Sequence, residues 1–226
     1  MLRNHNLQFT HPINLNDPFD CNPSLINFSN VPAAKCKVWS PEFIKLMESQ
    51  HYKNQWEQTW ICSLSKTYDN LLMWAHYCQN HQGVCIGLDI MKTNNYLSRI
   101  INGFYIGVED VEVQYEEIAK KTDYFHDFLK SFFRYQVATK AKDWAYEKEV
   151  RLLLRNPNLS RIPTALSPSY QSKEEDEAID IKKFRFYPQI GTECFRSLYL
   201  GININKDNRD ELIKIARLRN PDISIY

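Results

Sequence analysis

Segments with the two-residue alternation of strands and segments with helical spacing are interspersed along the chain without a steady strand–helix–strand rhythm. This predicts an α+β fold: a single domain over residues 1–226, with a mixed or mainly antiparallel twisted sheet flanked by helices. Two further observations agree. A chain of 226 residues can bury a core without covalent staples. Only 6 glycines are present and none forms a Gly-rich phosphate loop, so a dinucleotide-binding parallel sheet is not expected.

The elements follow in order. Residues 7–10 alternate and read as a short strand. Residues 14–18 are a turn cluster, in which Asn and Asp side chains bond nearby amides and Pro fixes φ. Residues 21–40 read as loop. A helix starts at Pro41, with Ser40 as its N-cap. Residues 60–65 are a strand. Asp69 or Asn70 caps the next helix, which carries Leu71, Leu72, Trp74, Ala75, Tyr77 and Cys78; Gly83 is placed to end it in a left-handed conformation. Residues 84–90 are almost continuously apolar, which predicts a central strand. Residues 104–108 and 111–115 read as two strands joined by a turn. Residues 122–140 carry the strongest helical spacing, through Phe125, Phe128, Leu129, Phe132, Phe133 and Val137. Residues 146–154 read as one long strand, and 155–180, with the acidic run from Glu174 to Glu177, as a surface loop or insertion. Strand pieces at 179–181 and 184–186, a strand at 197–204, a helix over 207–218 capped by Asp207 and a closing strand at 223–226 complete the chain.

Charge and cysteine usage narrow the function classes. With 28 basic and 27 acidic side chains the net charge is +1, so no global field draws the chain to nucleic acid or to an anionic membrane. No apolar run approaches the roughly 18 residues of a membrane helix, and the N-terminal stretch is not a signal peptide. The six cysteines are irregularly spaced, with no C-x-x-C, and Cys62 and Cys85 sit inside strand-like runs. They read as free thiols in a reducing, cytoplasmic compartment, and no metal is expected. Aromatic residues are abundant enough to supply a core and to line a ligand cleft.

One constellation stands out. On a strand, Glu147, Glu149 and Arg151 share a face. Two carboxylates at i and i+2 can differ in proton affinity, and Arg151 keeps at least one ionised. Such a triple can grip a ribose hydroxyl and stabilise a cationic transition state; the same pattern also describes a solvated strand face with its own ion pair. Ser63 and Ser65 place two hydroxyls on one strand face. Trp74 and Tyr77 are helical neighbours, suited to stacking on a ligand beside His76 or to packing a core. His76 and His81 are five apart, a poor spacing for a shared metal. Asn16, Asp17 and Phe19 belong to a rigid turn that either binds a ligand or is held by its own Asx bonds. Lys140, Lys142 and Trp144 can meet phosphate, or they are the C-terminal charges of the preceding helix.

Taken together, Asn16-Asp17-Pro18-Phe19-Asp20, Leu72-Met73-Trp74-Ala75-His76-Tyr77, His81-Gln82-Gly83-Val84-Cys85 and the run from Lys140 through Trp144 to Glu147, Glu149 and Arg151 resemble a bacterial family known as a domain of unknown function. Ser63-Leu64-Ser65 followed by Glu147-Lys148-Glu149 also resembles, more distantly, the order of site strands in mono-ADP-ribosyltransferases. That second resemblance implies NAD⁺ as substrate. Glu149 would bond the nicotinamide ribose, Glu147 would orient or deprotonate an acceptor, Ser63 would brace the site, and Trp74 or Tyr77 would line the nicotinamide pocket. It also implies a strand and a helix ahead of residues 2–7, so the chain is expected to begin inside that helix and to lack the site's first strand.

Three functions stay open on this reading. One is an NAD⁺-using transferase or hydrolase, of the kind found in toxins and phage defence, acting on an unidentified macromolecular acceptor. Another is a sensor that binds a small molecule or protein without turnover. The third is a nucleic-acid binder or nucleic-acid-modifying protein using Arg134, Lys140, Lys142 and Arg151.

Overall fold

The structure is a computed structural model that describes residues 1–15, 17, 19–51, 59–98, 100–101, 104–105, 107–117, 120–127, 131–155, 179–180 and 185–226. Its architecture is α+β. The large sheet is antiparallel throughout, with its strands in the order β12 (Ile179–Asp180), β13 (Arg185–Phe186), β1 (Phe9–Thr10), β3 (Thr59–Ser65), β11 (Glu149–Arg155) and β7 (Gly107–Glu112). A second sheet places β14 (Phe195–Leu200) between β15 (Ser224–Ile225), to which it is parallel, and β4 (Val84–Leu88), to which it is antiparallel. Small pairs join β8 (Gln114–Glu116) to β10 (Thr139–Ala141), β2 (Ile26–Asn27) to β9 (Thr122–Asp123), and β5 (Ile100–Ile101) to β6 (Phe104–Tyr105). Among the described residues the α-helices are α1 (Ala33–Cys36), α2 (Pro41–His51), α3 (Leu71–Tyr77), α4 (Ile90–Leu97), α5 (Phe132–Ala138) and α6 (Lys206–Arg219). Among the described residues, no helix is long and apolar enough to cross a membrane.

The pairing of β3 with β11 runs from Glu149 opposite Ser65 to Arg155 opposite Thr59. Residues directly opposite each other in an antiparallel pair share a face, so this register sorts the side chains into two sets. Trp60, Cys62, Leu152 and Leu154 enter the main core with Leu7, Phe9, Phe186, Phe195 and Leu198. Ile61 and Leu153 face the other way and pack with Val111, Phe133, Val137 and Ala138, under α5. Burying each Leu or Ile contributes about 1.5–3 kcal/mol. Further along that second face the apolar residues give way to Ser63, Ser65, Glu149 and Arg151. A third cluster is aromatic: Phe28 stacks on Tyr124 at 4.3 Å and packs with Phe125 and Trp39.

Several elements differ from the sequence expectation, each for a local reason. The long helix expected over 122–140 is the seven-residue α5; Thr122–Asp123 pairs with β2 and Phe125 follows in a turn, while Phe128 and Leu129 lie outside the described residues. Of the residues that gave the helical spacing, Phe125 and Phe132 join the aromatic cluster, whereas Phe133 and Val137 pack against Ile61 and Leu153. The strand expected over 146–154 begins only at Glu149, because residues 142–147 form a 3₁₀ helix and Lys148 is left-handed (φ 45°, ψ 51°). β4 lies at a sheet edge, not in the centre, and Asp89 caps α4 by accepting from the Lys92 amide at 3.1 Å. The strand expected to break between 108 and 111 runs unbroken as β7. After α3 the left-handed residues are Gln79, Asn80 and His81; Gly83 instead permits close packing, since a Cβ there would lie 3.0 Å from the Cys78 Cα. α6 is capped by Asn205, whose Oδ1 accepts from the Asn208 amide at 2.8 Å, with Asp207 in the first turn. Residues 2–5 form a turn where a helix was expected. The expected loop at 156–178, Ile181 and Phe184 lie outside the described residues.

Candidate functional site

The site grows from β11. Arg151 is fully buried, and its neighbour across β3 is Ser63. A buried guanidinium must have every N–H satisfied, and here it does. Nε donates to Glu149 Oε1 at 2.8 Å. One terminal nitrogen donates to Asp20 Oδ1 and to the Val137 carbonyl, both at 2.8 Å, and also meets Cys21 Sγ at 3.2 Å. The other donates to Asp20 Oδ2 at 2.5 Å and Glu149 Oε2 at 3.2 Å. Arg151 thus grips two carboxylates with paired bonds, the geometry that suits its planar fork.

A second cation joins the carboxylates. Lys140, on β10, donates from Nζ to Glu147 Oε2 at 2.6 Å and to Glu149 Oε2 at 3.1 Å, with Asp20 Oδ2 at 4.0 Å. Its ammonium also lies 5.0 Å from the Trp144 ring centre. Among the described residues, no group of three or more His, Cys, Asp or Glu is placed to hold a metal ion; the cation bridging these carboxylates is Lys140 itself. Tyr77, at the end of α3, donates to Glu147 Oε1 at 2.5 Å.

Backbone geometry sets these positions. Asn70 caps α3 through the Leu72 and Met73 amides, and its Nδ2 donates to the Tyr146 carbonyl at 3.2 Å, tying α3 to the 3₁₀ helix. Left-handed Lys148 then joins that helix to β11, so Glu147 and Glu149 reach the same ammonium from different elements. β7 ends at Glu112, and the Glu149 amide is satisfied instead by the Tyr115 hydroxyl at 2.8 Å. Ser65 Oγ donates to the Glu147 carbonyl at 2.7 Å. Asp20 arrives from the N-terminal turn, where the Phe19 amide donates to Asp17 Oδ1 at 2.9 Å and the Asp20 amide to the Asp17 carbonyl at 3.0 Å. That turn buries Asp17 and Asp20 and leaves Phe19 70% exposed.

The electrostatics follow. Burial alone would raise the Glu149 pKa, but Arg151, Lys140 and the Ser63 hydroxyl outweigh it and bring it down to about 2. Burial disfavours the Lys140 charge, yet Glu149, Glu147 and Asp20 outweigh it and hold its pKa above the usual lysine value. Burial, then the bond to Glu147, raises the Tyr77 pKa and keeps the phenol a donor. Cys21 is pushed well up by burial and stays a thiol.

These groups line a cleft of about 470 Å³, within the range of small-molecule sites. Of the residues singled out from sequence, Glu147, Glu149, Ser63, Ser65, Tyr77, Asp17, Lys140 and Trp144 line it, and Arg151 supports it from below. Trp74 does not: its Nε1 donates to the Tyr68 carbonyl at 2.7 Å. His76 is exposed beside Tyr77 and Tyr146. Phe19 also stands apart from the cleft, and Asn16 lies outside the described residues. Sequence reasoning missed Tyr115, Thr10 and Arg185 here, and it gave Asp20, the last residue of the Asn16–Asp20 turn, no role of its own. A second concavity of about 480 Å³ lies beside α5, lined in part by Asp110, Glu112, Arg134 and Tyr135; it holds none of the expected catalytic residues, and Glu109 engages Arg134.

Neither the curated proteins nor the solved structures contain a match to the chain. Over residues 73–152, a stretch that carries Tyr77, Lys140, Trp144, Glu147, Glu149 and Arg151 but not the Asn16–Asp20 turn, the chain is similar to the family described as Protein of unknown function (DUF2971).

Proposed function

We propose that the cleft binds the ribosyl part of NAD⁺ and cleaves its N-glycosidic bond, passing the ADP-ribosyl group to water or to a macromolecular acceptor. The observation that carries this reading is Glu149, a carboxylate lining the cleft with its pKa held near 2 by Arg151 and Lys140. As the bond from ribose C1′ to the nicotinamide nitrogen breaks, its electron pair leaves with nicotinamide and positive charge develops on the ribose. A pre-formed anion stabilises that charge without reorganising. In this reading Glu147, which is bonded to Tyr77 and Lys140, takes the proton of the attacking hydroxyl. Tyr77 and Trp144 supply aromatic surface at the cleft wall.

Incubation with NAD⁺ and measurement of nicotinamide release tests this. Release by the wild type should fall about a hundredfold or more in a folded Glu149→Gln variant. Equal release from both would remove Glu149 from the chemistry.

A second reading has its own support. All N–H groups of Arg151 and both oxygens of Glu147 are satisfied within the protein, so the network can shape a binding cleft without performing chemistry. A sensor domain of this kind would gain thermal stability with NAD⁺ while releasing no nicotinamide. Nucleic-acid binding has less support: Arg134 is engaged by Glu109, Lys142 by Glu117, and Lys140 and Arg151 by the buried carboxylates.

A further inference from the structure

We infer that the cleft is electrically bipolar, and that its β1–β13 end binds the phosphoryl group of a phosphorylated nucleoside through Arg185. The inference rests on the ribosyl reading of the carboxylate end and names what the rest of the ligand must carry.

At the carboxylate end, Asp17, Asp20, Glu147 and Glu149 outnumber Lys140 and Arg151, and both cations are committed to those carboxylates. An anionic group is repelled there, whereas a developing ribosyl cation is attracted. The opposite end carries a cation outside that network. Arg185 lines the same cleft, is half-buried and makes no ion pair with a residue whose side chain is described; Asp180 stands opposite it in the β12–β13 register. It pairs in register with Thr10, which pairs in turn with Ile61. Strand alternation therefore puts Arg185 and Thr10 on the sheet face that also carries Ser63, Glu149 and Arg151. Thr10 Oγ1 accepts from Gln8 Nε2 at 3.3 Å, which leaves the threonine proton to donate. A guanidinium with a hydroxyl beside it suits a phosphoryl group. Two strand spacings, about 10 Å, separate β13 from β3. The phosphoryl group is thus held to one side of the ribose site but within the span of a single nucleotide ligand.

Inorganic pyrophosphate is the first probe, measured by titration calorimetry at low ionic strength, where such an interaction is least screened. The wild type is expected to bind it. Arg185→Gln should weaken binding about tenfold or more, and Arg185→Lys should retain part of it. Nicotinamide riboside, which lacks phosphate, is the second probe and should bind wild type and Arg185→Gln alike. Pyrophosphate binding that is unchanged in Arg185→Gln, or absent from the wild type, overturns the phosphoryl site. If pyrophosphate binding depends on Arg185 while nicotinamide riboside does not bind at all, the phosphoryl site stands and the ribosyl reading falls. If the riboside binds and pyrophosphate does not, the ribosyl reading stands and the phosphoryl site falls.

Discussion

On one face of β11, Leu152 and Leu154 are buried among Trp60, Cys62 and Phe9; on the other face of the same strand, Glu149 and Arg151 are buried just as deeply among Asp20, Lys140 and Ser63. The two faces are held by different physics. Apolar burial has no direction, and side chains of similar volume substitute for one another at small cost. The ionic face is held by directional bonds, each needing its partner. Taking several charges out of water is also not the most economical way to stabilise a strand. The ionic face therefore carries a cost that stability alone does not explain, and it borders the cleft, whereas Leu152 and Leu154 lie within the main core.

The sharpest way to break this contrast is volume-matched substitution, followed by urea denaturation. Arg151→Ala leaves two buried carboxylates without their main partner and should cost about 3–5 kcal/mol. Arg151→Met should cost nearly as much, because filling the volume does not replace the charge. On the other face Leu154→Ala should cost about 3 kcal/mol through lost burial and a cavity, but Leu154→Met less than about 1.5 kcal/mol. Equal tolerance of methionine at both positions would erase the distinction. The smallest effect is expected at the rim: Tyr77→Phe removes one bond to Glu147 and should cost about 1 kcal/mol. If the proposed chemistry is right, that variant should also slow nicotinamide release; stability lost without any change in release would make Tyr77 a purely structural group.

The leucine face was legible from sequence because alternation is a local rule: the strand at residues 60–65 and its apolar neighbours came from pattern alone. The same rule grouped Glu149 with Arg151. It grouped Glu147 with them too, although Glu147 sits on a 3₁₀ helix and reaches the cluster past a left-handed Lys148 that no periodicity announces. Asp20 meets Arg151 across 131 residues of sequence, and Arg185 faces the cleft only because β13 docks on β1. Such contacts depend on tertiary register, which a single sequence does not display. Trp74 and His76 had the right residue types, but the cap at Asn70 orients α3 so that Tyr77, not Trp74, reaches the carboxylates.

Everything proposed for the ionic face depends on Glu149 being a permanent anion. Its folded-state pKa lies below the ordinary value of 4.5, at about 2. The stability it contributes is therefore fully present above pH 4.5 and is lost as pH falls towards 2, by an amount on the order of 3 kcal/mol. The direct measurement is a carbon NMR titration of protein labelled at the glutamate carboxyl groups, with the Glu149 resonance assigned through Glu149→Gln. A midpoint near 2, accompanied by loss of stability over the same range, is the predicted result. A midpoint at or above the ordinary carboxylate value would mean that Arg151 and Lys140 do not hold Glu149 ionised, and the electrostatic basis for a ribosyl-cation site would be gone.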